Sequence, residues 1–273
     1  MNDKNRNLLV RLATAAVLLP IILWMIAKGG FYTAGMLCLA SGICAGEYYH
    51  IVDRRFSPAH AVGVLGAALW PLYAAFRPAE FGNWAFWTVA VVFLFAWIFH
   101  LLRGPVATAP TGAAHLVSGM LYGGVGLTAL EVVRQRPDGL SWAIGALVIT
   151  WGNDTCAYFV GRFLGRTKLY PEISPNKTWE GFLGGMVGSV GGLFIARAGF
   201  FPSITPLDCV VLGLGGGIMG PLGDLCESML KRAYQVKDSS QLIPGHGGLL
   251  DRIDALLFNA PWVFLYVTYL RGA

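Results

Sequence analysis

Between Met219 and Asp254 the chain gathers side chains suited to handling phosphate. The run Met219-Gly220-Pro221-Leu222-Gly223-Asp224-Leu225-Cys226-Glu227-Ser228 sets an acid inside an apolar stretch. An ionised Asp at a membrane helix centre costs roughly 2.5 to 3.5 kcal/mol on insertion scales and calls for a compensating role. Pro221 removes a helical donor and crowds the carbonyl one turn earlier, so a kinked span is expected. With helix resuming there, Asp224, Glu227, Ser228 and Lys231 fall at i, i+3, i+4 and i+7 and make one polar stripe. Pairing within the stripe is the bland alternative to chemistry.

The chain then runs Lys231-Arg232-Ala233-Tyr234-Gln235-Val236-Lys237-Asp238 and, a few residues on, Ile243-Pro244-Gly245-His246-Gly247-Gly248-Leu249-Leu250-Asp251-Arg252-Ile253-Asp254. Glycines on either side of His246 permit positive φ and a close backbone approach to a ligand. The cations Lys231, Arg232, Lys237 and Arg252 with the acids Asp238, Asp251 and Asp254 suit a divalent metal bridging phosphate oxygens: basic groups grip phosphate and acids hold the metal. Upstream, Ser174-Pro175-Asn176-Lys177-Thr178-Trp179-Glu180-Gly181 adds Lys177 as a phosphate-binding cation, with Ser174 and Thr178 in reach and Glu180 free to pair with a loop cation. Asp154, beside Asn153 and one turn before Tyr158, lies in another apolar run, suited to a head-group cavity, to ordering the metal site or to a structural hydrogen bond.

The elements that must position these groups are membrane helices. Of 273 residues, 55% are hydrophobic and 13% charged, about half the charged fraction of roughly 25% usual in soluble domains, and the mean hydropathy is +0.58. Apolar runs near the ~20 residues that cross a bilayer as helix fall at about 8–27, 31–52, 58–76, 83–102, 113–133, 140–161, 181–201, 206–230 and 253–270. All are expected to be helical, because open strands leave backbone groups unpaired in lipid. The fold class is therefore all-α, a polytopic integral membrane protein with about nine transmembrane helices. Residues 1–110 read as scaffold and 111–273 as the catalytic half, with long loops at 162–180 and 231–252.

Most Lys and Arg residues, including those of both long loops, fall on one side if the N-terminus is cytoplasmic, which points to an inner (cytoplasmic) membrane protein of that orientation. Arg134 and Arg136 run against the pattern. Gly181, Gly184, Gly185, Gly188 and Gly192, with Gly213, Gly216, Gly217 and Gly220, recur at four-residue spacing inside apolar runs and read as helix-packing positions. Asp208, near a span end after Pro206, is expected to meet water, and Glu47 to snorkel or pair between helices. His50, His60, His100 and His115 lack metal-ligand spacing, the five cysteines show no C-x-x-C pattern and read as reduced packing residues, and no basic, aromatic surface for nucleic acid is found.

Taken together, Ser228-x-x-Lys231-Arg232, Lys237-Asp238, His246-Gly247-Gly248 and Asp251-Arg252-x-Asp254 resemble the signature of the phosphatidate cytidylyltransferase family, and 174–181 is similar to that family's second characteristic stretch. The resemblance is specific from about 140 to 260 and general before that. It implies transfer of a cytidylyl group from CTP to phosphatidic acid, with Mg²⁺ and room for a second cation. Asp224 and Asp251 match the family's metal-binding acids, and Asp254 adds a third carboxylate. Catalytic roles are then expected for Asp224, Asp251, Lys237 and His246, the last as a phosphate contact in preference to a general base. Substrate contacts are expected from Ser174, Lys177, Thr178, Ser228, Lys231, Arg232, Arg252 and Asp154. The glycine-rich helices and the resemblance together suggest a homodimer. Two rivals are weighed: a CTP-dependent lipid-alcohol kinase, which would release CDP in place of pyrophosphate, and an ion-coupled transporter, which needs no dense His-Gly-Gly loop.

Overall fold

The structure is a computed structural model that describes residues 3–245 and 247–271, with the side chains of 3–12 left out of the description. His246 therefore lies outside the described residues. The helices α1 (Asp3–Lys28), α2 (Gly30–Asp53), α3 (Pro58–Phe76), α4 (Phe81–Arg103), α5 (Ala109–Arg134) and α6 (Gly139–Leu164) lead to a hairpin of β1 (Lys168–Tyr170) and β2 (Ser174–Thr178). Then come α7 (Trp179–Gly199), α8 (Pro206–Ala233) and α9 (Leu250–Leu265), which ends in a π-helical turn, Tyr266–Leu270. The nine expected spans thus correspond to these helices within a few residues.

Six of them, α3, α4, α5, α7, α8 and α9 with its π turn, are long and apolar enough to cross a bilayer, and the chain is a polytopic integral membrane protein. On α4 only Val92 and Ala96 are buried, while Phe86, Trp87, Val91, Leu94, Ile98 and Leu101 are exposed. An apolar face of that size belongs against lipid.

Two local expectations are corrected. The 162–180 loop holds an antiparallel pair of strands, in the register Lys168 to Thr178 and Tyr170 to Ser174, where only irregular chain was expected; outside the hydrocarbon the backbone is free to pair this way. Helix α8 continues past Pro221, so Asp224, Glu227, Ser228 and Lys231 share one helix. Asp208 does not meet water: it is 4% exposed and accepts from Thr205 N (2.7 Å), Tyr266 Oη (2.6 Å) and Arg271 Nε (3.2 Å).

The chain divides into two compact units, one of residues 1–132 and 234–252 and one of residues 133–233 and 253–273. This division does not follow the boundary expected at residue 110, because the 234–252 segment packs with the first helices. In the first unit, α2 and α5 approach closely: Tyr49 Oη donates to Leu116 O at 2.6 Å, and a Cβ on Gly123 would lie 2.6 Å from Ala45 N. In the second unit, α6, α7 and α8 pack through the glycines picked out by spacing. A Cβ on Gly188 would run into Gly152 O and the Cys156 side chain, and one on Gly217 would come within 2.8 Å of Met186 Cα. Those glycines are spent inside the chain and so give no support to a second copy.

Candidate active site

In the second unit the hairpin delivers Lys177 and the middle of α8 delivers Asp224. Lys177 Nζ lies 2.6 Å from Asp224 Oδ2, and Asp224 Oδ1 accepts from Ser228 Oγ at 3.2 Å. The position of Lys177 follows from local chemistry. Thr178 closes the strand and caps α7, its Oγ1 accepting from Gly181 N at 3.1 Å, the bond expected of a residue before a helix. Glu180, one residue inside the helix, accepts from the backbone N–H groups of Arg166 (3.1 Å) and Thr167 (3.2 Å). The expectation that Glu180 pairs with a loop cation is therefore corrected, since its carboxylate is used to fold the loop onto the helix start.

Asp154, Ser174, Lys177, Thr178 and Asp224 line one cavity of about 580 Å³, together with Tyr158, Arg162, Phe182 and Pro221. Five of the residues singled out in the sequence thus meet there. Arg162, which donates to Tyr158 Oη at 2.6 Å, is a lining cation that spacing did not reveal; its only signal was a basic residue at the end of a span. Asn153, which also lines the cavity, is buried and donates to Ser189 Oγ (3.4 Å) and Gly217 O (3.3 Å). Asn259, also buried, donates to Thr150 Oγ1 at 2.9 Å. These amides fix α6, α7, α8 and α9 behind the acids. Asn259 was missed because one amide inside an apolar helix reads as incidental.

Asp254 on α9 comes up beside α8 where Gly223 leaves room, a Cβ there being 2.6 Å from Asp254 O. Its carboxylate feels the charges of Asp224, Asp154 and Lys177. Asp254 thus adds a carboxylate to the neighbourhood of Asp224 and Asp154, a set of oxygen donors of the kind that hard divalent cations take. Among the described residues, no three His, Cys, Asp or Glu side chains already converge into a metal cage. Mg²⁺ takes one or two protein carboxylates and fills its remaining positions with water and substrate phosphate, so the donor set fits that ion.

Lower on α8 the stripe is paired within itself. Glu227 is 1% exposed and its Oε2 lies 2.6 Å from Lys231 Nζ, Lys231 being 9% exposed. A buried carboxylate needs a cation, and Lys231 supplies it, the pairing within the stripe that stands as the alternative to a substrate contact. Arg232 is exposed in the last turn.

The first unit holds a second cavity, of about 450 Å³, lined by Lys237, Asp238, Gln241, Gly245, Gly247 and Arg252 among others. Gly245 and Gly247 have φ of 75° and 83°, and Ile243 N donates to Gly247 O at 2.8 Å, so the loop turns back on itself as the glycine spacing predicts. Asp251 Oδ2 accepts from Ser239 N (2.9 Å), Ser239 Oγ (2.9 Å) and Gly248 N (2.8 Å). Of the expected metal trio, Asp224 and Asp254 thus belong to one cluster of the second unit, while Asp251 organises the loop of the first.

Two further anchors of this loop were not foreseen. Asp53 accepts from His60 Nε2 (2.9 Å) and His115 Nδ1 (3.0 Å), and Tyr234 Oη lies 2.7 Å from His115 Nε2. The tautomer of His60 follows, since Ser57 N donates to its Nδ1 at 3.0 Å. The other is Glu47, which is 6% exposed and whose carboxylate takes hydrogen bonds from the loop; the snorkelling expected of it is corrected.

A sequence model of the cytidylyltransferase family matches residues 9–270. The chain belongs to the cytidylyltransferase family. Within it, the chain is 33% identical over 262 residues to the phosphatidate cytidylyltransferase of Brucella suis, covering 95% of this chain and 93% of that protein. It is 33% identical over 257 residues to the one of Staphylococcus saprophyticus, covering 92% and 96%. With the Bacillus subtilis protein of the same name the identity is 46% over 140 residues, half of each chain. The cytidylyltransferase match spans both cavities and nearly the whole set of helices, including those before residue 140 where the motifs were silent.

Proposed function

We propose that this protein is a phosphatidate cytidylyltransferase, converting CTP and phosphatidic acid to CDP-diacylglycerol and pyrophosphate. The observation that carries the reading is the Lys177 to Asp224 contact, which joins two separately conspicuous stretches, 174–181 and 224–254, in a chain similar over nearly its full length to proteins of that name.

In the reaction an oxygen of the lipid phosphate attacks the α-phosphorus of CTP, a new P–O bond forms, and the bond to the bridging oxygen breaks to release pyrophosphate. Both reactants are anions, so catalysis is mostly charge compensation and positioning. The second-unit cavity, with Lys177 and Arg162 beside Tyr158 and Phe182, suits a lipid phosphate next to apolar chain. The first-unit cavity, with Lys237, Arg252 and the glycine turn, suits a polyphosphate, and the sequence motif offers His246 as a phosphate contact. Asp224 and Asp254 would hold Mg²⁺, which when bound shields phosphate charge in the transition state, and Asp154 leaves room for a second cation. Lys177 orients the head-group phosphate, and Ser228 holds the rotamer of Asp224.

The distribution of the loop cations supports an inner-membrane protein with its N-terminus in the cytoplasm, and a homodimer is supported by the family resemblance alone. The kinase reading is disfavoured by the names of its relatives. The test is pyrophosphate release by the purified protein: it should require phosphatidic acid and CTP together and stop with EDTA. Release that ignores phosphatidic acid would defeat the proposal.

A further inference from the structure

We propose that Glu47, on α2, is a positioning residue that holds the 237–252 loop in the shape that grips the nucleotide's phosphates; the inference rests on the function proposed above. The carboxylate accepts four hydrogen bonds, all from this loop. Oε1 takes Ser240 Oγ (2.5 Å) and Leu249 N (3.0 Å), and Oε2 takes Ser239 Oγ (3.0 Å) and Leu250 N (2.7 Å).

These donors sit on both sides of the excursion 241–248 that carries the glycine turn, so one side chain closes the turn at its base. Lys237 precedes Ser239 by two residues and Arg252 follows Leu250 by two, which places a phosphate-binding cation just outside each arm of the clamp. Gly248 sits directly on it: a Cβ there would lie 2.6 Å from Glu47 Oε1 and would overlap Ser239 Oγ. A buried carboxylate is costly unless hydrogen-bonded. Here the donors include the N–H of Leu250, the first residue of α9, whose dipole favours a negative charge at that end. Ser239 Oγ has one proton and lies 3.0 Å from Glu47 Oε2 and 2.9 Å from Asp251 Oδ2, so it couples the clamp to Asp251.

Glutamine at position 47 has the same shape but one accepting oxygen. The serine hydroxyls can turn round to meet its amide; the N–H groups of Leu249 and Leu250 cannot, and one of them is left without an acceptor. The experiment compares the full-length wild type with Glu47→Gln, Ser240→Ala and Ser240→Thr by amide hydrogen exchange and by steady-state kinetics in both substrates. For Glu47→Gln, exchange at Leu249 and Leu250 should quicken and the KM for CTP should rise by about tenfold or more, the scale of a lost charged hydrogen bond, while the KM for phosphatidic acid stays put. Ser240→Ala should move both readouts the same way by less, and Ser240→Thr, which keeps the hydroxyl, should restore them. Equal rises in both KM values, or faster exchange spread evenly over the α2 and α3 amides, would mean a merely structural role and overturn the proposal, as would unchanged exchange at 249 and 250. Should the wild type transfer no cytidylyl group, the functional reading fails; the exchange data still decide whether Glu47 holds the loop.

Discussion

The two loops that carry the cations proposed to bind phosphate are ordered by opposite means. The 165–178 segment orders itself with near neighbours: strands pair across a short turn, Thr178 caps the helix that follows, and Glu180 reaches back to Arg166 and Thr167. The 234–252 segment has almost no secondary structure and is held by side chains far off in sequence, Glu47 at its middle and the Asp53, His115, Tyr234 chain at its start. A loop that must present backbone and glycines to a ligand cannot use its own N–H groups for a sheet, so remote carboxylates do the ordering. Changes near the hairpin should therefore act on stability through local bonds, and changes in α2 should act at a distance on the other loop.

The comparison breaks first at Asp224. Asp224→Asn removes the charge that Lys177 faces and should cut turnover by about 10²-fold to 10³-fold or more, with the protein still inserted and monodisperse on a sizing column. Full turnover would remove the acid cluster from the mechanism. Lys177→Met should cost on the order of 10²-fold in kcat/KM and raise the KM for phosphatidic acid more than that for CTP, the reverse of the Glu47→Gln pattern. Thr178→Val sharpens the local side. Loss of the cap should cost about 1 kcal/mol of stability, lowering the thermal midpoint. Asp208→Asn is the smallest for chemistry: turnover per folded molecule should be unchanged, although the midpoint should fall as the bonds to Tyr266 and Arg271 weaken.

The same contrast explains what could be read from the sequence. Helix positions follow from apolar runs, because a span must satisfy its backbone within itself, and the cavity around Lys177 and Asp224 follows from residues whose types are costly in a membrane. The hairpin escaped notice since Lys168–Tyr170 is only three residues long and has no alternating pattern. Glu47, Asp53, His60 and His115 were legible only as isolated polar residues, and their partners lie up to 203 positions away. The Lys231 to Glu227 pair was foreseeable at i, i+4, but its burial was not.

The most direct test follows the two ends of the triphosphate. Purified protein is given phosphatidic acid and Mg²⁺ with CTP labelled either at the α-phosphate or at the γ-phosphate, and the lipid is extracted. A cytidylyltransferase carries the α label into the lipid and leaves the γ label in pyrophosphate. If the γ label enters a lipid and CDP accumulates in water, the protein is a kinase and the account given for both loops is wrong.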